Sequence, residues 1–256
     1  MVTIMLHRLR QLRRLMPAAL CAAAMSAHAQ LGGDLQARIL YAFQVEDANQ
    51  LTALIQTLGN QLRAGGEDPA LRYHLAHAQY RFGLLVAESR AKEAEAAFRD
   101  CTTQLKAVLL QDSSSAEAMA LQSACYSHLA RYEKLQAVLD RSRAAERLDQ
   151  AARLAPRNPR VAYLQALAAI EKAPAGSADD RGALEQLQRA VQLFEETSAT
   201  SEDVPGWGHA EAYLELGRRL QMRGDAVAAR NWIERSLIAA PDYKAAQRQL
   251  STLVPR

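Results

Sequence analysis

Apolar residues recur every three or four positions along most of the chain, and clusters of proline and glycine interrupt them at intervals. Alanine, leucine, glutamine, glutamate and arginine fill the segments between these clusters, and all five are strong helix formers. The pattern predicts about eleven helices and no strands. The interruptions are Gly65-Gly66 with Pro69, Pro156 with Pro159, Pro174 with Gly176, Pro205 with Gly206 and Gly208, and Pro241.

The clearest internal repeat lies between residues 210 and 243. Its positions are Tyr213, Leu216-Gly217, Leu220, Gly224, Ala229, Ile233, Ser236 and Pro241. This spacing resembles the tetratricopeptide repeat, a unit of about 34 residues that folds as a helix–turn–helix. Ser236 stands where the family usually has alanine, and Leu220 where it usually has tyrosine. The resemblance implies an all-α fold, a right-handed superhelix of antiparallel helix pairs, or α-solenoid.

The repeat spacing has a physical cause in the packing of two antiparallel helices. The helices approach closely only where a small residue faces the neighbouring helix, and large residues one turn away fill the adjoining gap. We therefore expect three close contact points, at Gly217, Ala229 and Ser236. The expected fillers are Tyr213, Leu220 and Ile233.

Three earlier units follow the same order with departures. The first has six additional residues between its helices; its positions are Tyr73, Leu75-Ala76, Phe82-Gly83, Ala94, Phe98 and Cys101. The second has an unusually long second helix, expected from about Glu133 to Leu154; its first helix carries Met119, Ser123, Tyr126, Leu129-Ala130 and Tyr132. The third has an inserted loop at 173–180; its positions are Tyr163, Ala166, Leu167, Ala183, Leu187 and Ala190.

The four units cover residues 69–243. Residues 34–64 are interpreted as two helices of a divergent N-terminal unit, and residues 244–254 as a helix that caps the last exposed face. Because stacked repeats share a continuous core, residues 30–256 are predicted to form a single domain.

The first 29 residues have the order of a cleavable signal peptide. Four arginines precede an apolar run at 15–25, and the small residues Ala27 and Ala29 then predict cleavage between Ala29 and Gln30. The run is shorter than the roughly 20 residues of a membrane helix, which disfavours an uncleaved anchor. Leu20 before Cys21 disfavours a lipoprotein signal, and the sequence around Arg13-Arg14 is a poor match to twin-arginine export. The expected location is the periplasm or another exported compartment.

Removal of this segment changes the charge of the protein. The whole chain has a formal charge of +3, from 31 basic and 28 acidic residues. Loss of four arginines leaves 27 basic residues against 28 acidic ones. A near-neutral mature chain lacks the basic surface that nucleic acids or anionic lipids require, and no later segment is apolar enough to span a membrane.

In tetratricopeptide repeat proteins the first helix of each unit lines a concave groove, and ligands meet residues one turn apart on that face. Tyrosine and arginine anchor many interfaces, so Tyr73, Arg81, Tyr163 and Arg218 are the strongest candidates. The alternative for each residue is packing against a helix neighbour or exposure to water. The residues that the resemblance places in the groove are Tyr73, His77, Tyr80, Arg81, Glu117, His128, Arg160, Tyr163, Glu211, Leu214, Arg218 and Gln221.

The groove lacks the residues with which some family members bind a terminal carboxylate, and this restricts the kind of ligand. Some members of the family bind a terminal carboxylate with paired lysine and asparagine residues, but Tyr73 and His77 occupy the corresponding places here. The partner is therefore expected to present a loop, a helix or an extended internal segment.

Cys101 and Cys125 lie twelve residues to either side of Ser113, in a predicted turn between two antiparallel helices. A disulfide between them is geometrically plausible, and the alternative is two small buried thiols. The pairs His74–His77 and Cys125–His128 lack a third ligand, so no metal site and no cofactor are expected.

Three hypotheses of function remain from the sequence. The favoured one is a non-catalytic scaffold that binds a segment of a protein in the cell envelope, since no nucleotide loop, nucleophile elbow or zinc-hydrolase motif occurs. The second is a helical accessory or substrate-binding subunit of a cell-envelope enzyme or transport system. The third is a self-assembling protein, a homo-oligomer formed through the exposed ends or the irregular segments of the solenoid.

Overall fold

The computed structural model describes residues 34–65, 67–173, 177–200 and 206–253. Within these ranges the chain forms eleven helices and no strand, as the hydrophobic pattern predicts. The predicted signal peptide and its cleavage site at Ala29 and Gln30 lie outside the described residues. The helices are α1 (34–44), α2 (Ala48–Gly65), α3 (Pro69–Val86), α4 (Ala91–Gln111), α5 (Ala116–Leu129), α6 (Ala137–Leu154), α7 (Pro159–Lys172), α8 (Ala178–Thr200), α9 (His209–Met222), α10 (Ala226–Ala239) and α11 (Lys244–Ser251).

Neighbouring helices pack as hairpins. The pairs are α3 with α4, α5 with α6, α7 with α8, and α9 with α10, and each pair contacts the next. Helix α2 packs against α3 at one end, and α11 packs against α10 at the other. This arrangement is the all-α solenoid that the repeat pattern predicts.

Prolines and polar caps begin two of the inner helices in the same way. Asp68 accepts hydrogen bonds from the backbone N–H groups of Ala70 and Leu71, and Pro69 follows it as the first helical residue. Asn158 and Pro159 begin α7 with the same pair of bonds. An N-cap side chain pairs amides that have no partner within the helix, and proline has no N–H to lose there. These prolines of the sequence pattern thus mark helix starts.

The fourth unit shows the close contacts expected from its small residues. A Cβ at Gly217 would lie 2.6 Å from Cγ1 of Ile233 and 3.0 Å from the carbonyl oxygen of Ala229. Ser236 is fully buried and donates a hydrogen bond of 2.7 Å to the carbonyl oxygen of Ala210. The repeat pattern therefore locates the contacts within this hairpin correctly.

The first unit differs from the prediction in where its additional residues lie. Gly83 occupies a close contact, because a Cβ there would lie 2.8 Å from the ring of Phe98. Only residues 87–90 connect α3 to α4, so the six additional residues do not lie between the helices. The extra length is in the helices themselves, which have 18 and 21 residues against 14 in each helix of the fourth unit.

The second and third units differ from prediction at helix boundaries. Helix α6 begins at Ala137 and has 18 residues, so it is shorter than α4 and α8. Glu133, the predicted start, lies in the connecting segment, where it bonds Arg99 at 2.5 Å. Helix α8 begins at Ala178, inside the predicted loop, and α11 ends at Ser251.

Helix α1 lies against the inner side of the solenoid and reaches every part of the core. Its residues Ile39 and Ala42 are buried with α2–α5, Leu40 packs against the cluster formed by α5–α9, and Phe43 packs against the cluster of α9–α11. Just beyond α1, Glu46 forms an ion pair with Arg248 of α11, with Nη1 and Oε2 2.8 Å apart. The two ends of the repeat array are therefore joined through α1. None of the helices in the described part of the chain is long and apolar enough to cross a membrane.

Candidate functional site on the inner face

The twelve predicted groove residues all belong to the first helices of the four units, α3, α5, α7 and α9. The structure buries half of them and leaves the other half partly exposed, so partner contact by the whole set stays a prediction. The buried residues are His77, Tyr80, Arg81, Tyr163, Glu211 and Leu214. The partly exposed ones are Tyr73, Glu117, His128, Arg160, Arg218 and Gln221.

A buried ion pair joins the first unit to the fourth across the inner face. Arg81 Nη2 lies 2.6 Å from Glu211 Oε1, and the two side chains are only 4% and 5% exposed. The second oxygen of Glu211 accepts a 3.0 Å hydrogen bond from the backbone N–H of Gly208. The guanidinium carbon of Arg81 lies 4.5 Å above the ring of Phe43 in α1. The charge of Arg81 is therefore neutralised inside the protein.

His77 completes this group as an acceptor. Arg81 Nε donates to His77 Nε2 over 3.0 Å, so the imidazole is neutral and carries its proton on Nδ1. Burial, and then the positive charge of Arg81, holds the pKa of His77 well below its ordinary value. The histidine consequently serves as a structural hydrogen-bond acceptor.

A second polar chain links the first three units. Tyr73 donates its hydroxyl proton to Glu117 at 3.4 Å, and Glu117 accepts a 2.7 Å bond from Arg160. Asn158, the N-cap of α7, donates at 2.8 Å to the Glu117 oxygen that also accepts from Arg160. These three candidate residues hold adjacent repeats in register.

Trp207 is the central residue of the inner face, and the sequence analysis did not identify it. It is 1% exposed, and its indole N–H donates to the hydroxyl of Tyr73 at 3.1 Å. Gly208 next to it has φ of 102°, a conformation that favours glycine, and Gly206 lies against Arg160 and Gln36 with no room for a Cβ. A tryptophan between two glycines was the available sequence signal, but the glycines were interpreted only as loop markers.

A cavity of about 860 Å³ remains on the inner face between α1 and the first helices. Leu84, Leu85, Leu164 and Leu167 form apolar walls. The charged lining consists of Arg81, Arg131, Arg218, Arg219, Arg248, Glu46, Glu88, Glu171, Glu211 and Glu215. This volume is within the range of about 300–1,000 Å³ typical of small-ligand sites. The cavity is the part of the predicted groove that α1 does not fill.

Of the remaining candidates, His128 and Arg218 line this cavity and Gln221 does not. His128 stacks on Phe98, with ring centroids 4.6 Å apart, and burial lowers its pKa to about 4. Arg218 donates to Gln249 of α11 at 3.3 Å, and Gln221 bonds both Gln249 and Thr252. Helix α11 therefore covers part of the groove that the fourth unit was expected to present.

Cys101 and Cys125 form a disulfide in the structure, with sulfurs 2.02 Å apart and Cα atoms 6.4 Å apart. The bond joins α4 to α5 and hence the first unit to the second. Among the described residues, no group of three or more histidine, cysteine, aspartate or glutamate side chains is arranged to hold a metal ion.

Helix pairs stacked around an inner face, with a glycine at the close approach of the first and fourth pairs, define an α-solenoid of the tetratricopeptide type. The structure is similar to the crystal structure of TTC0263, a thermophilic TPR protein in Thermus thermophilus. The similarity has a TM-score of 0.58 at 17% sequence identity and covers 85% of this chain and 98% of that one. At this identity the similarity demonstrates the fold.

Other solved structures match less well. Yeast Tom70 aligns with 80% of this chain and 51% of its own, at 14% identity and a TM-score of 0.37. A protein described as MamA MSR-1 C2 aligns at 13% identity and a TM-score of 0.34, over 83% of this chain and 94% of its own. No family model and no curated protein matches the sequence.

Proposed function

We propose that the protein is an exported, non-catalytic scaffold that binds a segment of a cell-envelope protein in its inner cavity. The observation that carries this proposal is the open cavity itself, because α1 fills the rest of the inner face and leaves this part uncovered. Its lining combines tyrosine, arginine and leucine side chains, and tyrosine and arginine anchor many protein interfaces.

Contacts at one side of the cavity restrict the form of the partner. Glu46 and Arg248 join α1 to α11 at one side, and Phe43 and Tyr243 pack there with ring centroids 6.3 Å apart. A long helix would need an open groove along the whole solenoid. We therefore expect the partner to insert a loop or a short extended segment.

Two features support an exported location. The first 29 residues have the pattern of a signal peptide, and Cys101 and Cys125 are paired. Disulfides persist mainly in oxidising compartments such as the bacterial periplasm. An assay of the N-terminal residue of the secreted protein would test this location, and Gln30 is the expected first residue.

Site-specific photo-crosslinking in intact cells tests the scaffold function. A photoreactive amino acid at Ser127 or Ala168, both in the cavity lining, should crosslink to one and the same protein. The control position is Gln188, which is exposed on α8 outside the cavity lining. Equal crosslinking from Gln188, or none from the cavity, would contradict the proposal.

Self-association is a second candidate function, favoured by an exposed apolar surface at the start of α6. Leu135, Val138 and Leu139 are 102%, 78% and 48% exposed, and Val138 and Leu139 follow Leu135 by three and four residues. Light scattering of the purified mature chain tests this candidate: a dimer that Val138→Glu dissociates would support it, and a monomeric wild type would refute it.

A further inference from the structure

Three buried tyrosines line the inner cavity, and their hydroxyl groups have no hydrogen-bond partner among the described residues. They are Tyr80 of α3, Tyr163 of α7 and Tyr243, the residue before α11, with exposures of 4%, 8% and 6%. None of the three hydroxyl oxygens is among the fully buried side-chain atoms that lack a partner, so each remains accessible from the cavity. Other tyrosine hydroxyls of the molecule are already paired, since Tyr73 bonds Glu117 and Trp207, and Tyr213 bonds Glu195 at 3.0 Å.

All three tyrosines line the same cavity as the buried Arg81–Glu211 ion pair. Burial raises the pKa of each tyrosine, and the negative charge of Glu211 acts in the same direction on all three. All three therefore remain protonated at physiological pH. A protonated phenol both donates and accepts a hydrogen bond. The cavity lining thus includes three neutral groups of mixed donor and acceptor character.

The charged residues that line the cavity favour an uncharged ligand. Arg81 is paired with Glu211, and Arg219 is paired with Asp180 at 3.2 Å. Five arginines and five glutamates line the cavity in all, so the lining has no net charge. All five arginines and four of the five glutamates are already in ion pairs, and the exception is the exposed Glu88. A charged group entering the cavity would therefore lose hydration with little gain in pairing, which is unfavourable.

A peptide fits these groups better than a carbohydrate. Sugars stack on accessible aromatic faces, but His77, Arg81 and Arg160 lie around Trp207 at 5.3, 5.5 and 5.7 Å. An extended peptide instead offers alternating C=O and N–H groups that phenols can pair, and side chains that the leucine walls can accept.

We propose that Tyr80, Tyr163 and Tyr243 form a subsite that binds the backbone of an uncharged, extended segment of the partner protein. This inference rests on the proposed scaffold function and specifies the chemistry of the segment.

The probe for this subsite is a library of random hexapeptides that are acetylated and amidated at their ends. Peptides selected on the wild-type protein should carry no net charge. Each of Tyr80→Phe, Tyr163→Phe and Tyr243→Phe should raise the Kd of a selected peptide by about 3- to 10-fold, because one hydrogen bond is lost with little change in volume. Methylation of the contacted backbone nitrogens of the peptide should weaken binding to the wild type similarly.

Two tyrosines serve as controls. Tyr41 is 49% exposed on α1 and does not line the cavity, and Tyr213 has its own partner, Glu195. Tyr41→Phe and Tyr213→Phe should leave the Kd unchanged. Since the three subsite hydroxyls bond nothing inside the described part of the protein, their phenylalanine variants should keep the circular dichroism and the Tm of the wild type.

The subsite would be wrong if the selected peptides were charged or if no peptide were selected. It would also be wrong if the triple phenylalanine variant bound the selected peptide as tightly as the wild type. Binding of oligosaccharides from a glycan array, instead of peptides, would likewise contradict it. Crosslinking separates this failure from that of the scaffold. If the triple variant still crosslinks its partner from Ser127, the subsite is wrong and the scaffold function stands. If the wild type does not crosslink, the scaffold function is wrong.

Discussion

The first and fourth repeats solve the same packing problem with different residues. In each, a glycine of the first helix lies against a large residue of the second, Gly83 against Phe98 and Gly217 against Ile233. Three residues further along the second helix, the first unit has Cys101, bonded to Cys125, and the fourth has Ser236, bonded to the carbonyl oxygen of Ala210. The two hairpins thus share their geometry while the stabilising chemistry differs.

The inner faces of these two repeats differ more than their hairpins do. The first unit contributes a positive charge, Arg81, and the fourth contributes the carboxylate of Glu211, and the two meet across 130 residues of sequence. Glu211 also caps its own helix, α9, by accepting from the backbone N–H of Gly208. The comparison shows that repeat positions shape each hairpin, whereas the residues that leave the pattern hold the ends of the array together.

The largest predicted effect follows from breaking the contact between the two repeats. Arg81→Met leaves the buried carboxylate of Glu211 without a cation, and we expect the free energy of unfolding to fall by about 3–5 kcal/mol in urea denaturation. The control is Arg157→Met, because Arg157 pairs with Glu196 at 2.8 Å but both side chains are largely exposed. That change should cost less than about 1 kcal/mol. Equal effects of the two variants would show that the buried pair has no special role.

The disulfide gives the first repeat a stabilising bond that the fourth lacks. Replacing Cys101 and Cys125 together by alanine opens a loop with a sequence separation of 24, and the expected loss is about 3 kcal/mol. Thermal unfolding with and without a reductant measures it. The reductant should destabilise the wild type and leave the double variant unaffected; a wild type insensitive to the reductant would contradict the prediction.

The shared glycine contact can be tested in both repeats. Gly217→Ala and Gly83→Ala should each lower the free energy of unfolding by about 1–3 kcal/mol, because a methyl group has no room there. We expect the larger loss at Gly217, where the carbonyl oxygen of Ala229 is part of the backbone, than at Gly83, where the ring of Phe98 can shift.

Gly182 of α8 is the matched control for both glycines, because nothing lies within 4 Å of a Cβ at that position. Gly182→Ala should stabilise the protein by about 0.5–1 kcal/mol, since alanine favours the helix. If Gly217→Ala were equally stabilising, the close approach of α9 and α10 would be wrong.

The smallest predicted effect is a pH dependence centred on the contact between the first and second repeats. His128 stacks on Phe98, and burial, followed by the charge of Arg131, lowers its pKa from 6.5 to about 4. The unfolded chain therefore takes up a proton below about pH 6.5 while the folded chain does not. Stability should fall with pH over this interval, by up to about 2 kcal/mol at pH 5.

Replacement of the histidine isolates this effect. His128→Phe should reduce the loss of stability between pH 7.5 and pH 5, as measured by urea denaturation at each pH. His209→Phe makes the equivalent change at the contact between the third and fourth repeats, where His209 stacks on Phe194. This imidazole is only half-buried, so its effect should be smaller. A pH dependence unchanged by His128→Phe would show that other groups cause it.

The helices that carry the candidate residues were predictable from the repeat spacing. All twelve candidates lie on the first helices of the units, and seven of them line the cavity. Spacing does not show which of them become buried. His77 and Arg81 are buried only because α1, Trp207 and the fourth unit lie over them, and none of these is near α3 in sequence.

The sequence by itself determined the helices, the pairing of neighbours and the close contacts of the fourth repeat, because these depend on residues within about 34 positions of one another. It also contained the pairing of Cys101 with Cys125 as one of two alternatives. Only the tertiary structure decided that α1 fills most of the inner face and that Glu46 meets Arg248. It likewise decided that Trp207 lies at the centre and that three tyrosine hydroxyls face the cavity. Contacts between residues 130 to 202 positions apart depend on the accumulated rotation from repeat to repeat, and no local spacing specifies that rotation.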